Sequence, residues 1–122
     1  MWTFSQSEGT ITNAAGQIVG TGYAGNGDGL NNPAMQDQHG IGPLPQGKYT
    51  IGPLQAQHGA LGTNVAPLEP HPDNEMYGRS GFFIHGRKSL LDMDASEGCI
   101  VLDHDPRMRV MEDPDKELQV VA

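Results

Sequence analysis

Apolar and polar residues alternate with a period of two over several short stretches of this chain, the pattern of half-buried strands. Residues 2–5 and 10–12 alternate in this way, and Asn13-Ala14-Ala15-Gly16 supplies turn chemistry before residues 17–20 resume an extended pattern, so an N-terminal meander is expected. Residues 22–42 carry many glycines and asparagines but only scattered apolar positions (Tyr23, Leu30, Met35, Ile41), which predicts a long, ordered surface loop. The cluster Gly42-Pro43-Leu44-Pro45-Gln46-Gly47 then turns into a strand over 48–51, where aromatic and β-branched residues gather. Residues 55–74 are polar and broken by Gly59, Gly62, Pro67, Pro70 and Pro72, so a second connection with at most one short strand is expected. Two apolar strands follow, at 81–86 and 99–102. Asp105 before Pro106 has the form of an N-cap and first helical residue, opening a short helix through about Met111. Residues 118–121 are expected to close the sheet.

Length and composition narrow the class to one mainly β domain spanning 1–122. The 122 residues suffice for a single core, and 17 Gly with 9 Pro form a load that reads as punctuation between short strands. Seven Lys+Arg against fifteen Asp+Glu give a net charge of −8 without a basic stripe, which disfavours nucleic-acid binding. Six of the acids fall between Asp103 and Glu117, interleaved with Arg107, Arg109 and Lys116, as on a solvated face. No apolar run has the length of a membrane span, and the first six residues lack the basic and apolar regions of a signal peptide. Synthesis in the cytoplasm without a signal peptide is therefore expected. A single cysteine forms no internal disulfide, which leaves its thiol available for chemistry.

That cysteine stands in the densest chemical signal of the chain, Ile84-His85-Gly86, a loop, then Ser96-Glu97-Gly98-Cys99-Ile100. A thiol becomes a nucleophile near neutral pH when an imidazole takes its proton, and acyl chemistry also needs N–H donors aimed at the developing oxyanion. Gly98 gives the backbone the freedom to approach a substrate, and the N–H groups of Gly98 and Cys99 are candidates for the oxyanion hole. If the strands ending at His85 and beginning at Cys99 are neighbours, joined through residues 87–95, the two side chains meet at one end of the sheet. A lone cysteine flanked by Ile100 and Val101 also reads as a core residue. The Ser-Glu-Gly turn before it and the strand-end His-Gly favour the reactive reading.

These residues resemble the signature of the L,D-transpeptidases, a His-Gly pair followed downstream by Ser/Thr-His-Gly-Cys; here His85 precedes Cys99 by fourteen residues. Residues 43–51, Pro-Leu-Pro-Gln-Gly-Lys-Tyr-Thr-Ile, are similar to the family's Thr-Pro-x-Gly-x-(aromatic)-x-Ile strand. The compact branch found among type VI secretion effectors and phage-associated proteins is the nearer likeness. Its features match Gly22-Tyr23-Ala24-Gly25, Asn32-Pro33-Ala34-Met35-Gln36, Gly78-Arg79-Ser80-Gly81-Phe82 and Ser96-Glu97-Gly98-Cys99-Ile100. Two positions depart from the wider family: Glu97 replaces a second histidine, and Val101 replaces an Arg or Asn.

The resemblance implies a single L,D-transpeptidase-like (YkuD-like) β-sandwich with one or two short helices. It implies a cysteine enzyme that cleaves or exchanges the terminal D-alanine of peptidoglycan tetrapeptide stems without a cofactor or metal. Cys99 is then the nucleophile and His85 its base, with the Gly86 carbonyl orienting His85 and Gly98 serving the oxyanion. Ser96 either bonds near the thiol or shapes the turn. Arg79 either clamps the substrate carboxylate or makes a surface ion pair, and Tyr23 and Ser80 join it as substrate-binding candidates. Action in the periplasm of a target cell after delivery is implied, with an immunity protein and a secretion apparatus as partners. Among competing readings, His39, His58, His71 and His104 form no compact zinc-ligand set. His104 falls on the wrong face or beyond the strand to serve Cys99, and in papain-like peptidases the nucleophile precedes the histidine. A non-catalytic cell-wall-binding or structural module of a phage tail or secretion apparatus is the alternative of a different class.

Overall fold

Short strands dominate the computed structural model, which describes residues 1–59, 61–87 and 97–122. In chain order they are β1 (Trp2–Ser5), β2 (Thr10–Thr12), β3 (Ile18–Thr21), β4 (Gly47–Ile51), β5 (Gln55–His58), β6 (Gly62–Pro70), β7 (Phe83–His85), β8 (Ile100–Val101) and β9 (Glu117–Val121), with one helix, α1 (His104–Glu112), before β9. The molecule is a single small domain, mainly β, as its composition and alternation predict.

The strands run in the order β3-β2-β1-β9-β4-β6-β7-β8, with β5 pairing β6 outside this path. Neighbours are antiparallel except β1 with β9 and β7 with β8. Just after β3, Tyr23 forms an antiparallel bridge to Val101 in β8. Its N–H donates to the Val101 carbonyl at 3.1 Å and its carbonyl accepts from the Val101 N–H at 2.8 Å. The two ends of the strand path are thus joined, and the sheet curls round a core that includes Trp2, Phe4, Ile11, Leu44, Tyr49, Ile84, Ile100, Leu118 and Val120. Closure of this kind covers a strand edge that would otherwise stay unpaired.

Three expectations need correction. Residues 55–74 hold a hairpin, β5 and the nine-residue β6, where at most one short strand is expected. Pro67 is tolerated because it lies where β6 passes from pairing with β5 (Val65) to pairing with β4 (Leu68), so neither ladder needs its missing donor. The final strand does not close the sheet at an edge; β9 lies inside it, between β1 and β4. The helix begins two residues earlier than the Asp-Pro pair suggests, with Asp103 as its N-cap. Strand pairing sets this start, since the Leu102 N–H still donates to the His85 carbonyl at 3.0 Å. Pro106 becomes the third helical residue, whose N–H has no partner within the helix in any case.

The loop over residues 22–46 is ordered by its own polar groups. Asn32 accepts from the Ala34 N–H at 3.1 Å ahead of a 3-10 turn at Pro33–Met35, and the Asn26 N–H donates to the Ile41 carbonyl at 2.9 Å. Gln6 of the N-terminal segment is fully buried and ties this loop down. Its amide donates to the Leu44 carbonyl at 2.9 Å and accepts from Gln46 at 3.0 Å. The loop therefore presents a fixed rim to the turn that carries Cys99, and the Leu44 N–H bonds the Gly98 carbonyl at 2.9 Å.

Candidate active site

His85 is the last residue of β7 and Cys99 stands one residue ahead of β8. In the parallel register Ile84 faces Ile100 and His85 faces Val101. Alternation then puts His85 and Cys99 on one face as a diagonal pair, about 8 Å apart at Cα by ordinary strand spacing and rise. From the sequence both are expected at one end of the sheet, a strand end against a strand start. In a parallel pair these are opposite ends, and the two residues come near each other only because the strands are so short. Ile84 and Ile100 are both fully buried and anchor the pair from the other face.

His85 is buried, and its Nδ1 lies 2.8 Å from the Gly86 carbonyl oxygen. A carbonyl only accepts, so Nδ1 carries a proton, and whenever the ring is neutral Nε2 holds the lone pair. This is the contact expected of Gly86. Cys99 is 9% exposed, at the border of the core. Ser96 lies outside the described residues. Glu97 is exposed, so its carboxylate is turned to solvent.

Gly98 takes φ +121°, in the region that favours glycine. A Cβ there would stand 2.6 Å from Arg79 Nη2, 2.7 Å from the Phe82 ring and 3.0 Å from the Gly42 carbonyl oxygen. The turn before Cys99 is therefore packed to the backbone.

Arg79 explains much of that packing. A substrate clamp and a surface ion pair are the two roles its sequence suggests, and the structure places the side chain inside the protein with 6% exposure. Nη1 donates to the carbonyls of Gln36 and Pro43, and Nη2 to those of Gly42 and Glu97, over 2.5 to 3.1 Å. All four terminal N–H bonds are thereby used on the main chain. The guanidinium also lies over the Phe82 ring at 5.1 Å. Burial pulls its pKa down, and the opposing charges of Tyr49, Asp37 and Cys99 push it back up. Tyr49 donates to the Pro45 carbonyl at 2.7 Å, and burial raises its own pKa.

Of the remaining candidates, Tyr23 reaches the site through its main-chain bridge to Val101, with its ring 5.8 Å from the Arg87 guanidinium. Ser80 is exposed in the loop beside Arg79. The other histidines serve elsewhere: His39 Nε2 lies 2.8 Å from the Tyr77 carbonyl, His58 packs edge-on to Phe83 at 5.1 Å, His71 pairs with Asp73, and His104 opens α1. Among the described residues no group of three or more His, Cys, Asp or Glu is arranged to hold a metal ion, and no helix is long and apolar enough to cross a membrane.

One participant has no signal in the sequence, where Arg107 counts only as a base interleaved with acids. It is buried under Gly86: a Cβ on that glycine would lie 1.9 Å from Arg107 Nη1, which donates to the Leu102 carbonyl at 2.9 Å. Among the described residues its Nε has no hydrogen-bond partner. Helix α1 thus backs the His85-Gly86 strand end with a buried cation, whose pKa burial lowers and Asp103 partly restores.

No curated protein and no solved structure matches this chain. Its glycine-bounded Cys99 turn, the His85-Gly86 strand end and the loop that rims them all fall within residues 19–121, which match the family model of the Tlde1 domain. The chain therefore belongs to the Tlde1 domain family, a type VI secretion effector family.

Proposed function

We propose that this effector is a cysteine enzyme of the L,D-transpeptidase type, acting on the tetrapeptide stems of peptidoglycan in the periplasm of a target cell. One observation carries the reading: His85 and Cys99 share a face of adjacent parallel strands, with His85 Nδ1 held by the Gly86 carbonyl so that Nε2 is the basic nitrogen. In the reaction Nε2 takes the thiol proton, and the Cys99 sulfur attacks the carbonyl of the third stem residue. The resulting oxyanion collapses, the bond to D-alanine breaks, and the imidazolium returns its proton to the departing amine, leaving a thioester on Cys99. Water then gives a carboxypeptidase, a D-amino acid gives exchange, and the amine of a second stem gives a crosslink. The Gly98 and Cys99 N–H groups are the proposed oxyanion donors. An immunity protein protecting the producing cell is the partner this role requires.

The test is a chromatographic assay of purified protein with tetrapeptide muropeptides. Loss of the terminal D-alanine, or its replacement by an added D-amino acid, is expected, and Cys99→Ala and His85→Ala should each lower the rate by about a hundredfold or more. Unchanged muropeptides, with sacculi bound equally by wild type and Cys99→Ala, would instead identify a non-catalytic wall-binding module.

A further inference from the structure

A buried arginine is costly unless its donors are satisfied, and Arg79 satisfies them in an unusual way. Among the described residues no carboxylate pairs with it directly. Its fork reaches four carbonyls on two separate segments, Gln36, Gly42 and Pro43 on the loop rim and Glu97 on the turn before Cys99. Nη2 also lies 2.6 Å from where a Gly98 Cβ would stand. The charge is therefore fixed within one residue of the thiol, while its hydrogen bonds are spent on holding that turn in place.

We propose that Arg79 is a positioning residue, which clamps the Glu97-Gly98-Cys99 turn to the loop rim and sets a fixed positive charge beside the Cys99 sulfur. This inference rests on Cys99 as the nucleophile, and it assigns Arg79 to the enzyme's own backbone in place of the substrate carboxylate. Among the described residues, the other titratable groups facing the pair come from three elements. His85 approaches from β7, Asp37 and Tyr49 act on Arg79 from the loop and β4, and Glu97 is turned to solvent. Attraction between the guanidinium and a thiolate at Cys99 is one of the interactions that offset the cost of burying Arg79. The same attraction favours the thiolate, because coupling between two charges is mutual.

The experiment is the rate of Cys99 alkylation by iodoacetamide against pH, which uses no stem peptide and so separates this inference from the choice of substrate. In the wild-type protein the midpoint is expected below the ordinary thiol value near 8.5. Arg79→Gln should raise that midpoint by about one unit and slow alkylation at pH 7 by about tenfold. Arg79→Lys keeps the charge but not the four-carbonyl fork, so it should hold the midpoint near wild type while lowering muropeptide turnover. A wild-type midpoint at or above the ordinary thiol value, or a folded Arg79→Gln with an unchanged profile, overturns the proposal. Where both variants fail to fold, a wild-type midpoint at or above the ordinary thiol value still overturns the proposal.

Discussion

At Gly98 two independent constraints act on one residue: a backbone angle of +121°, and three neighbours within 3.0 Å of any added Cβ. Two of those neighbours are the Phe82 ring and the Gly42 main chain, which cannot swing away as a flexible side chain would. Gly98→Ala is therefore expected to cost about 2 to 4 kcal/mol, strain and displacement together. Reactivity of Cys99 should fall with it, and urea unfolding measured alongside alkylation of the folded protein checks both effects. The candidate residues at this scale can be named without a structure. A histidine ending one strand, a glycine and cysteine opening another, and the chemistry of thiols and imidazoles named His85, Gly86, Gly98 and Cys99 together. Arg79 was legible only as a residue of interest. Whether a guanidinium meets a substrate or the protein's own carbonyls depends on what surrounds it, and Gln36, Gly42, Pro43 and Glu97 come from distant parts of the chain.

Between elements, the decisive contact is that of α1 with the end of β7. Gly86 has no left-handed backbone angle, so the nearest obstacle to a side chain there is the Arg107 guanidinium, 1.9 Å from the position of a Cβ. This gives a coupled prediction. Gly86→Ala should destabilise the wild-type protein, and the same change in an Arg107→Ala background should cost less by about 1 kcal/mol or more. Arg107→Ala alone removes the donor to the Leu102 carbonyl and should cost about 1 to 3 kcal/mol. A double-mutant cycle in urea measures all three, and additive losses would show that α1 does not bear on the His85 strand end. Element boundaries were read well where alternation was clean, as in β1, β2 and β4. They were misread over residues 55–74, because prolines and polar residues suppress the strand pattern that β6 nonetheless adopts by pairing with β4, β5 and β7.

For the molecule as a whole, the first eighteen residues lie outside the family match yet supply β1 and β2, and β1 is hydrogen-bonded to β2 and to β9. Trp2, Phe4 and Ile11 are all buried in the common core. A fragment beginning at residue 19 loses these side chains at about 2 to 5 kcal/mol each, which together consume the whole stability of an ordinary domain. It is expected to lack the cooperative thermal transition of the full chain in circular dichroism, and a fragment melting like the full chain would contradict this. Closure of the sheet makes a second prediction. The amides of Tyr23 and Val101, bonded to each other's carbonyls, should exchange with deuterium as slowly as those within β4 and β9, whereas an open edge would exchange them far faster.

The sequence by itself determined that this protein is mainly β and which side chains are the candidates for its chemistry, because strand alternation, turn residues and the thiol-imidazole pairing are local properties. Only the tertiary structure decided that the two short strands run parallel, that β9 lies inside the sheet, and that Tyr23 joins its ends. It also decided that two arginines face inward, Arg79 to hold the Cys99 turn and Arg107 to back the His85 strand end. Pairing partners and the environment of a buried charge are set by residues far apart along the chain. No local pattern encodes them.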